Sequence, residues 1–181
     1  FDTKGEVDYG KLKAIVEEQV AAGVEGICAV GTTGESPTLS HEEHHKVIEK
    51  TIEFANGNVT IVAGTGANST SEAISLTKAV IDAGGADASL QVTPYYNKPT
   101  QEGIYQHFKA ISDAVAIPMF VYNVPGRTGS NILPSTQARM ARELEHVIGC
   151  KEATANLVQV SDIIEQCPED FILLSGDDFT V

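Results

Sequence analysis

Short apolar runs alternate along this chain with longer stretches in which apolar residues recur at helical spacing. The runs are GICAVG (26–31), VTIVAG (59–64), ASLQVT (88–93), PMFVYN (118–123), HVIGCK (146–151) and FILLSG (171–176). Each has the length of a strand. Between them, Leu12, Ile15, Val16 and Val20 predict a helix from about Asp8 to Ala22, with Gly23 suited to its C-terminal cap. Ser40 and Glu43 form a capping-box pattern ahead of a helix whose inner face carries Val47, Ile48 and Ile52. Ser69 and Glu72 predict a second box, before a helix bearing Ile74, Leu76, Val80 and Ile81 that Gly84-Gly85 ends. Ile104, Phe108 and Ile111 mark a helix near 101–115. VPGRTG (124–129) reads as an irregular loop, and Pro134 suits the first turn of a helix carrying Met140, Ala141 and Leu144. Leu157, Val160, Ile163 and Ile164 line a last helix, from Asn156.

The predicted order is therefore one helix, five strand–helix units and a sixth strand. Strands alternating with helices imply a parallel sheet, whose strands all finish at one rim. No linker or low-complexity stretch interrupts the pattern, so residues 1–181 are expected to form one domain. The units suit a β/α barrel or a doubly wound sheet. Six strands are too few to close an eight-stranded barrel, so either the sheet is open or strands are missing at both ends.

Composition narrows the classes. At 181 residues and 42% apolar, the chain suits an ordinary globular domain. No apolar run approaches the ~18 residues of a bilayer span, and no signal peptide opens the chain, which predicts a cytoplasmic protein without a membrane partner. Phe1-Asp2-Thr3-Lys4-Gly5 reads as a chain entered mid-domain, in a turn. A net charge of −13, with 12 scattered basic residues, weighs against a nucleic-acid partner. Such a surface does not steer anions, so an anionic substrate would need local donors. Cys28, Cys150 and Cys167 form no CxxC and make a poor disulfide framework; Cys28 and Cys150 lie in apolar runs and read as inert packing.

Several runs end on chemistry-bearing residues. Lys151 stands at the mouth of HVIGCK. A lysine there can snorkel to solvent, or act as an amine nucleophile towards a carbonyl. At an ordinary pKa only roughly one lysine in 2,500 is neutral at pH 7, and partial desolvation raises that fraction. Glu152, next along, is expected on the opposite face of the strand. Tyr122 ends the neighbouring run, either as an edge aromatic or as a proton carrier beside the amine. GTTGES (31–36) is either a plain turn or a carboxylate cradle. Arg127, in VPGRTG, could grip a carboxylate bidentately at the same rim. His41-Glu42-Glu43-His44-His45 matches HExxH but lies in the first turn after the Ser40 cap, where its acids suit the helix dipole, so no metal is expected. GTGANST (64–70) lacks both the P-loop lysine and the dinucleotide spacing and reads as a cap-forming loop.

Together GTTGES (31–36), VTPYYN (92–97), YNVPGRTG (122–129), GCKEAT (149–154) and LLSGDD (173–178) resemble the 4-hydroxy-tetrahydrodipicolinate synthase family, in order and over nearly the whole chain. The resemblance implies a TIM (β/α)8 barrel and a class I, pyruvate-dependent aldolase without a cofactor. Such a lyase condenses pyruvate with aspartate semialdehyde on the route to diaminopimelate and lysine. It implies that Lys151 forms the imine with pyruvate and that Tyr122 carries protons. Thr32 would connect Tyr122 to Tyr96, and Tyr96 would reach a neighbouring subunit of a homotetramer built from dimers. Thr33 would hold the pyruvate carboxylate and Arg127 the semialdehyde's carboxylate. A feedback-lysine site would comprise Ser36, His41, His44, Asn68, Glu72 and Tyr95. By the family's pattern the chain holds the second to seventh barrel strands. The rival readings are a sugar-acid aldolase of the N-acetylneuraminate lyase or 2-keto-3-deoxy type, and a non-catalytic small-acid sensor.

Overall fold

In a computed structural model, which describes residues 1–180, six strands form one sheet: β1 (Gly26–Ala29), β2 (Thr60–Gly64), β3 (Ala88–Val92), β4 (Met119–Asn123), β5 (Val147–Glu152) and β6 (Ile172–Ser175). All neighbours are parallel, and their order in the sheet is their order in the chain. A doubly wound sheet reverses direction at a switch point. None occurs here, and right-handed crossovers that always step the same way put every helix on one face. The sheet is therefore an arc of a β/α barrel, which resolves the choice between the two windings.

The helices are α1 (Tyr9–Ala22), α2 (His41–Ala55), α3 (Thr70–Ala83), α4 (Gln101–Ala114), α5 (Pro125–Thr128), α6 (Pro134–Glu143) and α7 (Leu157–Gln166). Gly23 ends α1 in the left-handed conformation at φ 81°, where a side chain would be strained. The Ser40–Glu43 box forms in full, with reciprocal bonds of 3.2 and 2.8 Å. The expected Ser69–Glu72 box does not. Ser69 bonds Ser71 at 3.0 Å, and Glu72 is drawn to His41 across the α2–α3 contact at 2.9 Å. VPGRTG, expected to be irregular, coils into the single turn α5, because Pro125 presets a helical φ and Gly129 closes the turn at φ 69°.

Strand alternation builds two cores. Met119, Val121 and Cys150 face the helices, packed with Phe108, Ile111 and Met140. Phe120 and Tyr122 face the barrel lumen beside Leu90 and Val124. Both faces of the central strands are thus covered, as parallel sheets require. The rims of the arc are not: Ile172 and Leu174 of β6 are exposed, and so is Cys28 of β1. The reading of Cys28 as buried packing is therefore corrected, because its strand is the outermost of the arc and leaves the residue exposed. Cys150, on the helix side, is fully buried as expected.

His107, on α4, is 5% exposed, and its Nδ1 bonds Thr70 Oγ1 at 2.8 Å. Its Nε2 has no partner among the described residues, and burial lowers the imidazole to about 4. The unfolded chain takes up a proton near pH 6.5 that the folded chain refuses until about pH 4. Stability is therefore full above pH 6.5 and is lost as pH falls through that window, by up to about 3 kcal/mol. Urea titrations at pH 7 and pH 4 are expected to show a smaller acid loss in His107→Gln than in the parent. Equal losses would remove His107 as the cause.

Candidate active site

The register of β4 on β5 assembles the centre. Tyr122 lies opposite Lys151, and Asn123 lies opposite Glu152. Alternation then sends Tyr122 and Lys151 into the lumen and their neighbours to the helix side. Lys151 Nζ stands 4.8 Å from the centroid of the Tyr122 ring, which is itself buried. The lysine is half-buried. Gly176, just after β6, gives it room: a Cβ there would come within 3.1 Å of Lys151 Cε and 2.8 Å of Ala153 Cβ. Across the lumen, the protein walls raise the Cys28 thiol above its usual range although its surface is open, and Lys151 pulls it the other way. Cys28 lies opposite Val62, which packs in the lumen cluster with Tyr122, so Cys28 faces the lumen too.

A cleft of about 430 Å³ opens at the C-terminal rim, and its wall includes Thr32, Tyr122 and Arg127. The same wall includes Ser36, His41, His44, Glu72 and Tyr95, so the two expected sites adjoin in one hollow. Lys151 itself lies off that wall, beyond the Tyr122 ring, and Thr33, Asn68 and Tyr96 also stay off it. The Tyr122–Lys151 pair thus brings an amine over a buried phenol ring at the edge of the cleft.

Thr32 and Thr33 are exposed in the turn after β1, where Thr32 O accepts the Glu35 N–H at 3.1 Å. Among the described residues no hydrogen bond joins Thr32 to Tyr122 or Tyr96. Tyr96 is 90% exposed at φ 73°, and its backbone N–H donates to Thr128 O at 3.3 Å. Arg127 projects from α5, exposed and without a carboxylate partner among the described residues.

In the second cluster, His41 pairs with Glu72, and Asn68 Oδ1 accepts the Tyr95 N–H at 3.0 Å. His44 is buried and its Nε2 meets the Gly64 carbonyl at 2.8 Å. A carbonyl only accepts, so Nε2 carries the proton. Burial pushes the ring below its ordinary range, against the carbonyl's upward pull. Its Nδ1 is then an acceptor without a partner among the described residues. His41 and His44 thus serve different partners.

The profile of the Dihydrodipicolinate synthetase family matches residues 1–181. A 4-hydroxy-tetrahydrodipicolinate synthase of Nitratidesulfovibrio vulgaris strain Miyazaki F is 57% identical over 177 residues, 98% of this chain and 60% of that protein. The chain thus spans about 60% of the length of the curated relatives it matches. Among solved structures, a chloride-inhibited dihydrodipicolinate synthase from Acinetobacter baumannii complexed with pyruvate superposes with a TM-score of 0.96 at 50% identity, covering 99% of this chain and 61% of that one. A dihydrodipicolinate synthase from Cyanidioschyzon merolae with lysine bound gives a TM-score of 0.93 at 42% identity, covering 97% and 59%.

Proposed function

The chain belongs to the dihydrodipicolinate synthetase family, and from that premise we propose that the protein carrying it is a Schiff-base lyase condensing pyruvate with aspartate semialdehyde. The observation that carries this reading is the β4–β5 register, which stands the Lys151 amine over the Tyr122 ring. The amine adds to the ketone of pyruvate to form a carbinolamine. Loss of water gives the imine, and loss of a methyl proton gives the enamine that attacks the aldehyde. Each step moves a proton, and Tyr122 is the phenol positioned at the amine. Thr32, lining the cleft beside Tyr122, is proposed to pass those protons on towards Tyr96. Thr33 and the N–H groups of its turn would take the pyruvate carboxylate, and Arg127 the second carboxylate. The relatives' names support this substrate pair over a sugar acid. Pyruvate with borohydride is the test: a stable adduct on Lys151 is expected, whereas a sensor would gain none. Sugar-acid cleavage outpacing turnover of aspartate semialdehyde would favour the rival aldolases.

We also propose that Ser36, His41, His44, Asn68, Glu72 and Tyr95 form a site for feedback lysine. The Glu72 carboxylate suits an ammonium, and the unpartnered His44 Nδ1 suits a donor. Millimolar lysine is expected to inhibit the parent enzyme and to lose its effect in Glu72→Ala. Undiminished parent activity in lysine would remove the site. The bare Tyr96 side chain fits insertion into a second copy within a homotetramer. A monomeric hydrodynamic mass for the active enzyme would overturn that reading.

A further inference from the structure

On the helix side of the sheet, behind Lys151, Glu152 is 4% exposed. Among the described residues no cation pairs with it. Its carboxylate accepts instead from Asn123 Nδ2 at 3.0 and 3.2 Å, from Gln137 Nε2 and Gln159 Nε2 at 3.2 Å each, and from Thr154 N at 3.0 Å. These donors come from β4, α6, α7 and the turn after β5. Main-chain groups fix the orientation of every amide. Asn123 Oδ1 accepts the Ile132 N–H at 3.0 Å, while Gln137 Nε2 and Gln159 Nε2 also donate to Ile132 O at 3.4 and 3.3 Å. All three therefore turn N–H donors towards residue 152, and both oxygens there must accept.

Packing alone does not ask for this. A buried carboxylate without a cation is costly to desolvate, and an apolar side chain could fill the space between sheet and helices. What the carboxylate adds is a junction. It joins β5 to β4 one residue beyond the Tyr122–Lys151 pair. It also joins both to Asn131, which accepts from Asn123 Nδ2 at 2.8 Å and from Gln159 Nε2 at 3.1 Å. Residues 123 and 131 bracket the segment that carries Arg127.

We propose that Glu152 is a positioning residue that sets Lys151 and Arg127 relative to each other, so that one buried carboxylate aligns the imine-forming amine with the guanidinium meant for the second substrate. The proposal rests on the imine reading above. Glu152→Gln in the protein carrying this chain keeps the size and turns an NH2 group onto N–H donors. Thr77→Val, in the separate buried Thr65–Thr77–Gln91 network, serves as a destabilised control. The expected result is a folded Glu152→Gln protein that accumulates borohydride-trapped pyruvate at least about tenfold more slowly and has a several-fold higher KM for aspartate semialdehyde. Glu152→Asp, which keeps two acceptors, is expected to recover part of the rate. Thr77→Val is expected to melt earlier with both constants within about twofold of the parent. Rates and KM in Glu152→Gln within that same margin would overturn the proposal. Should that variant not fold, Asn131→Ala, at the partly exposed edge of the network, decides it: a raised KM for the semialdehyde supports the junction, and an unchanged one overturns it. A parent protein that traps no pyruvate fails at the imine reading itself, a result distinct from parent trapping matched by Glu152→Gln.

Discussion

Lys151→Ala is expected to abolish the borohydride-trapped pyruvate adduct and to lower turnover by roughly 10⁴-fold or more, which corresponds to about 5 kcal/mol of transition-state stabilisation. Without the amine no covalent intermediate forms, and general acid–base help cannot replace an electron sink. The fold should survive the change. Lys151 is half-buried, its amine lies over the Tyr122 ring, and the space freed beside Gly176 opens to the lumen rather than becoming a sealed cavity. A melting temperature close to the parent's would therefore accompany the loss of activity. Lys151→Arg is the companion variant: it keeps a cation over the ring, yet a guanidinium forms no imine under these conditions. An adduct persisting in either variant would place the imine on another lysine and would remove the β4–β5 register as the basis of the chemistry.

That register was legible in the sequence because two apolar runs of strand length end on Tyr122 and Lys151, and parallel strands bring their ends to one rim. Asp8, Ser40, Asn156 and Gly23 were legible as helix ends for a similar reason: capping is local, satisfied within about three residues of the chain. Features that depend on a distant partner were not. Glu72 carries the pattern of a capping box, yet His41, 31 residues away, takes its carboxylate. Cys28 lies in an apolar run, but periodicity cannot say that its strand stands at the open end of an arc. Alternation put Glu152 on the far face of β5, but its partners on β4, α6 and α7 follow only from the register of two strands and the docking of two helices. Gly149 and Gly176 are silent in the sequence for the same reason. Their missing side chains matter only because Ile172 O, the Phe120 ring and the Lys151 stem come close, and a Cβ at Gly149 would lie 2.4 Å from Ile172 O. The shared cleft, too, is visible only in three dimensions, where α2 and α3 bring His41, His44 and Glu72 beside the rim that carries Tyr122.

Tyr122→Phe isolates the phenolic hydroxyl. The Tyr122 ring is 7% exposed, packs with Leu90, Phe120 and Val124, and presents its face to Lys151 Nζ. Phenylalanine preserves all of that contact, and the backbone carbonyl of residue 122 still accepts from Thr93 N and Oγ1 at 3.1 and 2.9 Å. Among the described residues no hydrogen bond engages the hydroxyl, so its removal should leave stability within about 1 kcal/mol of the parent. Catalysis should respond differently. Forming and dehydrating the carbinolamine needs a proton delivered to oxygen and another taken from nitrogen, and a positioned acid–base group supplies roughly 10²–10⁴-fold. The variant is therefore expected to lose kcat by that factor, with KM for pyruvate changed by no more than about threefold, because the turn at Thr32 and Thr33 is untouched. Adduct formation with borohydride should still reach completion on Lys151, only more slowly. The amine remains a nucleophile, and solvent can carry the protons at the slower rate. A kcat within about threefold of the parent would show that the protons travel by another route and would reduce Tyr122 to a wall that holds the lysine in place.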